Sequence, residues 1–402
     1  MFQQNHRSRY TNVFLFALIG LFGVVGQTWA LSFAYVANSG SNNVSGYSIA
    51  AGTGALTPVA GSPFVAGSTP SSITVSPNGA FAYVVNQVSS TVSAYTIATG
   101  TGALTPVAGS PFATGADPLS VTVSPNGAFA YVTNLINDTI SAYTIAAGTG
   151  ALTPVPGSPF AAGSTPLSVI VSPNGAFAYV ANGGSNNVSA YTIAAGTGVL
   201  TPVAGSPFAA GSWPYSVTVS PNGAFAYVAN GGGNNVSAYT IAAGTGALTP
   251  VAGSPFAAGT GPISVTVSPN GAFAYVANTV SNNVSAYTIA AGTGVLTPVA
   301  GSPFAAGSNP RSVIVSPNGA FAYVANTVSN NVSAYTIAAG TGALTPVAGS
   351  PFAAGTGPTS VAISPDLAPA AVSIPTLSST GCILLALALI VAVAVQRRKL
   401  SC

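Results

Sequence analysis

The tyrosine of an FAYV phrase falls at positions 35, 83, 131, 179, 227, 275 and 323, a spacing of 48 kept without slippage. A chain of 402 residues could hold two or three unrelated domains. A fixed period rules that out, because each copy becomes one supersecondary unit that buries its face against the next. The longest shared phrase, SPNGAFAYVAN, begins at Ser172, with near-copies at Ser76, Ser124, Ser220, Ser268 and Ser316. Residues 31–366 number 336, or seven times 48, so the repeats form one unit.

One period reads as four short strands. Residues 168–172 (SVIVS) are the first, and Pro173-Asn174-Gly175 then supplies a type I turn. Residues 177–181 (FAYVA) are the second, an Asn-rich link covers 182–187, and 188–193 (VSAYTI) are the third. After a Gly-Thr-Gly turn, 199–203 (VLTPV) are the fourth. β-Branched and aromatic residues fill these runs, and Gly, Pro, Asn and Ser bound them. Pro202 cannot donate a ladder hydrogen bond, which places the fourth strand at an edge and blunts that edge against other chains. The prediction is an all-β fold, a seven-bladed β-propeller of four-stranded antiparallel blades. A β-solenoid is the competitor, but an open stack needs atypical capping copies, and here the end copies look like the middle ones. The register also suits a ring. The repeats start on a second strand (33–37) and stop on a first (360–364), so N- and C-terminal strands complete one blade together.

The two ends carry other signals. His6, Arg7 and Arg9 precede an apolar run over 13–25, and Thr28 and Ala30 suit a cleavage site. This predicts a signal peptide over 1–30 cleaved after Ala30, with a retained membrane anchor as the alternative. Beyond a linker over 367–373, residues 374–402 hold Ile374-Pro375-Thr376-Leu377, an apolar run over 382–395, then Arg397-Arg398-Lys399. That run is short of the ~20 residues a span needs, but counting from Ile374 gives the length of a transmembrane helix. Its basic end predicts a cytoplasmic tail with the repeats outside. The arrangement resembles the IPTL-CTERM sorting signal, a relative of signals processed by exosortase-type enzymes in Gram-negative bacteria. It departs from the commoner form, because Ser378-Ser379-Thr380 stand where an acidic residue and Trp usually follow. The resemblance implies an exosortase-type sorting enzyme as partner, membrane anchoring before sorting, and a place at the cell surface or in the matrix. A plain tail anchor is the alternative.

Charge decides which functions are excluded. Only 2% of the chain is charged, and within 31–366 the charges are Asp117, Asp138, Arg311 and Asp366. No basic patch is available to neutralise phosphates, so nucleic acid is not an expected partner. Both cysteines, Cys382 and Cys402, lie in the tail, leaving the repeats without disulfides or thiolate ligands. Hard cations want several carboxylates, so no metal and no cofactor is expected. Asn43, Asn137, Asn187, Asn235, Asn283 and Asn331 begin N-x-S/T sequons, read here as strand-start residues satisfying turn backbone rather than as glycosylation sites.

The phrase YVANGGSNNVSAYTI, followed by TGVLTPV and SPF, is similar to the YVTN-type propeller repeats of the bacterial lactonase-like family. The best-known members of that family hydrolyse 6-phosphogluconolactone. The resemblance implies the seven-bladed fold and, through the family's reaction, a lactonase. The residues argue against that reaction. Lactone opening needs a base or nucleophile and a cation or fixed donor for the oxyanion, yet 31–366 contain no His, Glu, Lys or Cys. No catalytic residue is assigned.

Variation between copies gathers in two places. One flanks the proline before the first strand: Thr69/Ser71, Asp117/Leu119, Thr165/Leu167, Trp213/Tyr215, Gly261/Ile263, Asn309/Arg311 and Gly357/Thr359. The other is the link between second and third strands. In an up-and-down blade these share one end, and the near-constant SPNGA and AGTGAL turns share the other. Asp117, Trp213, Tyr215, Asn309 and Arg311 are the candidate ligand-binding residues, since aromatics and Arg often anchor binding. Drift after duplication is the alternative. The expected function is a non-catalytic binding or adhesion module for extracellular polysaccharide or a surface protein. A structural matrix protein ranks second and a lactonase third.

Overall fold

The computed structural model describes residues 32–366. The signal peptide and the C-terminal sorting segment lie outside the described residues. Seven five-stranded antiparallel sheets form the blades of a closed propeller. In one blade, Pro166–Val171 is innermost, then Phe177–Asn182, then Asn187–Ile193, with Leu200–Pro202 outside. The four-strand expectation misses a two-residue strand, Phe208–Ala209, which pairs with the other half of Asn187–Ile193. The outer edge is thus two short pieces on one strand. Between them Ser206 Oγ accepts the Ala190 N–H at 2.9 Å, so a side chain continues the ladder where the backbone leaves it.

The alternation of FAYVAN explains how blades stack. Phe177, Tyr179 and Ala181 point forward into a core shared with Val217, Val228 and Tyr239 of the next blade. Ala178 and Val180 point back against Phe129 and Tyr131 of the previous one. Successive side chains of a strand face opposite ways, so large residues leave one face and small ones the other, and neighbouring sheets interlock. Both faces are covered, hence the lack of a polar face in these strands. Burying each such aromatic contributes roughly 1.5–3 kcal/mol.

Two buried tyrosine rings tie the blades together. Tyr179 donates forward to the Gly246 carbonyl at 3.0 Å, and Tyr191 donates back to the Ala161 carbonyl at 2.7 Å. Both patterns recur around the disc and close across its seam, as Tyr323 to Gly54 at 2.9 Å and Tyr47 to Ala353 at 2.6 Å. Burial pushes all these phenols above their ordinary range, and in the second set a neighbouring serine hydroxyl partly opposes the shift.

The seam is one blade made from both ends. Ser32–Asn38 pairs with Pro358–Ile363 as second and innermost strands. Phe33 and Ser364 exchange two hydrogen bonds at 2.8 Å, and Ser32 Oγ donates to Asp366. The described chain therefore enters and leaves at the end of the disc that carries the SPNG turns.

Candidate functional site

The two ends of the disc are built differently. At the constant end Gly198, with φ +72°, lies so close to the previous blade that a Cβ there would sit 2.4 Å from the Phe129 ring. The same approach recurs at Gly54 against Phe321 and at Gly246 against Phe177. Constancy at Gly198 and its equivalents is imposed by packing between blades.

At the other end the backbone is fixed and the side chains vary. Thr69, Asp117, Thr165, Trp213 and Asn309, each just before the first-strand proline, have φ between 53° and 58°. Gly261 and Gly357 fill the same place in two further blades. Left-handed φ is unusual for residues with a Cβ, and most of all for β-branched or bulky ones. A cap from the previous blade holds Thr69, Thr165, Trp213 and Asn309 there. Asn186 Oδ1 accepts the Trp213 N–H at 2.7 Å, Asn282 Oδ1 accepts that of Asn309 at 2.8 Å, and Asp138 Oδ1 accepts that of Thr165 at 2.8 Å. Asp138 is thereby engaged in holding a turn.

Two residues further on, the innermost strands surround a central channel whose mouth forms a cavity of about 250 Å³. Around it in chain order stand Ser71, Leu119, Leu167, Tyr215, Ile263, Arg311 and Thr359. Arg311 reaches past Ile263 and donates to the Tyr215 hydroxyl at 2.7 Å, with its guanidinium carbon 5.9 Å from the ring centroid. Leu119 and Leu167 give one apolar arc, and Ser71 and Thr359 continue the polar arc. Below them runs a ring of serines at a constant position of the repeat. Ser168 Oγ accepts the Val217 N–H of the next blade at 3.4 Å, and the pattern closes where Ser360 Oγ accepts from Ile73 at 3.3 Å.

Of the five residues singled out from the sequence, the structure brings Tyr215 and Arg311 together in the mouth. Asp117, Trp213 and Asn309 do not line it. Trp213 is 46% exposed on the rim, its ring against the Gly183 link of the previous blade. Asp117 and Asn309 are half-buried in the equivalent rim turns. The serine ring escaped the sequence comparison because that comparison followed variation, and these serines do not vary. Among the described residues no group of three His, Cys, Asp or Glu could hold a metal ion.

The family model described as "Lactonase, 7-bladed beta-propeller" matches residues 27–212, 113–303 and 257–363. Solved structures share the architecture. A putative 6-phosphogluconolactonase from Bacteroides uniformis is 21% identical with a TM-score of 0.74, covering 83% of this chain and 99% of its own. A second, from Bacteroides fragilis, is 23% identical with a TM-score of 0.73, over 85% of this chain and 99% of its own. The periplasmic gluconolactonase of Pseudomonas aeruginosa is 20% identical with a TM-score of 0.71, over 84% and 99%. At these identities the likeness is one of fold. No curated protein matches the chain.

Proposed function

We infer function from one premise: this chain belongs to the lactonase family of seven-bladed β-propellers. We propose that it binds a sugar lactone or the related sugar acid at the channel mouth and does not hydrolyse it. One observation carries this reading. The mouth gathers a tyrosine, an arginine, hydroxyls and an apolar arc, and no carboxylate, imidazole, amine or thiol among its lining residues. Leu119, Leu167 and the Tyr215 ring offer surface for the carbon face of a sugar, and Arg311, Ser71 and Thr359 face its oxygens. A general base within reach of an attacking water is the missing part.

Hydrolysis is the second reading, and the comparisons favour it, through the family match and the gluconolactonase names of similar structures. In that reading Arg311 and the Tyr215 hydroxyl stabilise the oxyanion, and bulk water attacks without a protein base. The two readings part in a rate measurement on 6-phosphogluconolactone and gluconolactone, corrected for spontaneous ring opening. Saturable binding with no added rate supports the binding module. Turnover that disappears in Arg311→Ala overturns it in favour of the hydrolase.

The setting we propose is outside the cell. Export through residues 1–30 and sorting at Ile374–Leu377 would display the propeller where extracellular sugars occur. Detection of the chain in the membrane or matrix fraction, and its loss from there when 374–402 are deleted, tests that setting. A wholly cytoplasmic protein would end it.

A further inference from the structure

We propose that the channel mouth selects ligands bearing a single carboxylate, a uronic or aldonic acid in preference to a neutral or phosphorylated sugar. This rests on the reading of the mouth as a sugar site and names the chemistry that site prefers. Arg311 carries the only positive charge among the described residues, and no aspartate lines the mouth. Its side-chain partner there is the Tyr215 hydroxyl, a neutral acceptor. A guanidinium has five N–H donors in a planar fork, so most of its donors remain for a ligand.

The serine ring beneath adds donors of the same sense. Ser216 Oγ accepts the Val265 N–H at 3.4 Å, and Ser312 Oγ accepts that of Val361 at 3.3 Å. Each hydroxyl has therefore taken a proton donor from the next blade. Neither gives its own proton to a protein acceptor among the described residues, which leaves the O–H free toward the channel. Ser71 and Thr359 on the wall already give their protons to the Leu119 and Pro70 carbonyls, so the free donors are those of Arg311 and of the serine floor, and together they suit an acceptor-rich anion. The count of charges sets which anion. One fork matches one carboxylate in a bidentate pair. A phosphate monoester carries about −1.5 to −2 at neutral pH and would leave negative charge uncompensated in the mouth.

Glucose, glucuronate and glucose 6-phosphate share one ring and differ in this group alone, so calorimetric titration of the full-length chain with the three separates the cases. We expect glucuronate to bind at least tenfold more tightly than either other sugar, with affinity falling as salt is raised. Arg311→Ser should reduce glucuronate to the level of glucose, and it copies Ser71 at the same place in another blade, so the fold tolerates it. Ser216→Ala with Ser312→Ala should weaken glucuronate by a few-fold and leave glucose unchanged. Equal binding of glucuronate and glucose overturns the carboxylate preference and keeps the sugar site. Preference for glucose 6-phosphate overturns it in favour of phosphate. If glucose, glucuronate and gluconolactone all fail to bind, the sugar reading itself fails, and this inference with it.

Discussion

The constant and varied ends of the disc both rely on residues with left-handed backbone, and they treat a side chain there in opposite ways. At the constant end Gly198 has φ +72° with the Phe129 ring where a Cβ would go. At the varied end Trp213 has φ +53° and its large side chain stands 46% exposed on the rim. The backbone demand is similar, but only at the constant end does a neighbouring blade fill the place of the Cβ. Identity between copies at Gly198 and its equivalents therefore reflects packing. At the varied end the backbone is pinned by caps such as Asn186, and the side chain is left to choose. Repetition of Gly198 and its equivalents marks where blades touch, and variation on the rim marks where something else could.

The largest effect expected from this arrangement is alkaline unfolding. Fourteen buried phenols have their ionisation pushed upward by burial. Below the ordinary phenol value of about 10 they are protonated whether folded or not, so their contribution is fully present. Above it the unfolded chain ionises first, and each phenol removes about 1.4 kcal/mol per pH unit. Thermal unfolding followed by circular dichroism should show a level Tm from about pH 5 to 9, because 32–366 contain no His, Glu, Lys or Cys. A collapse within about one unit above pH 10 should follow, with tyrosinate absorbance rising at the same pH. Tyrosinate forming well before unfolding would show that the interblade phenols are open to water.

Next in size is Gly198→Ala. It adds a Cβ 2.4 Å from Phe129 at a backbone conformation that disfavours it, and should cost about 2–4 kcal/mol. Gly196, two residues earlier in the same turn, is exposed, and a Cβ placed there would meet nothing within 4 Å. Gly196→Ala should change stability by no more than about 0.5 kcal/mol. Urea midpoints of the two variants measure how much of the turn's constancy comes from contact with the previous blade. Equal midpoints would remove packing as its cause.

These residues also show what could be read before the structure. Period, strand order and ring closure were legible because hydrophobic alternation and turn chemistry repeat seven times in phase. The Phe208–Ala209 strand was not, since two residues are too few for a period to register. Tyr215 and Arg311 were legible as departures two repeats apart, but their contact depends on the width of the channel, which no local pattern encodes. Trp213 and Tyr215 were read as one group because both flank the proline where the copies vary, yet positions two apart share a face only while strand alternation holds. The left-handed φ at Trp213 breaks that alternation just before the strand begins and sends the two side chains to different places.

The smallest expected effect completes the comparison. Trp213→Gly removes the largest side chain of the rim and substitutes the residue that Gly261 and Gly357 already supply at that place. Relief of left-handed strain favours the variant by about 1 kcal/mol, and the added freedom of glycine in the unfolded chain costs about 0.5–1 kcal/mol. The two offset, and the ring's contact with the Gly183 link is shallow because nearly half the residue is exposed. Stability should change by less than about 0.5 kcal/mol, in contrast to the loss at Gly198, and glucuronate binding should persist because Trp213 does not line the mouth. Chemical denaturation and the same calorimetric titration check both halves. A loss above about 2 kcal/mol, beyond what a surface change costs, would mean that the rim, like the constant end, is shaped by packing. A loss of binding at unchanged stability would extend the site from the channel mouth onto the rim.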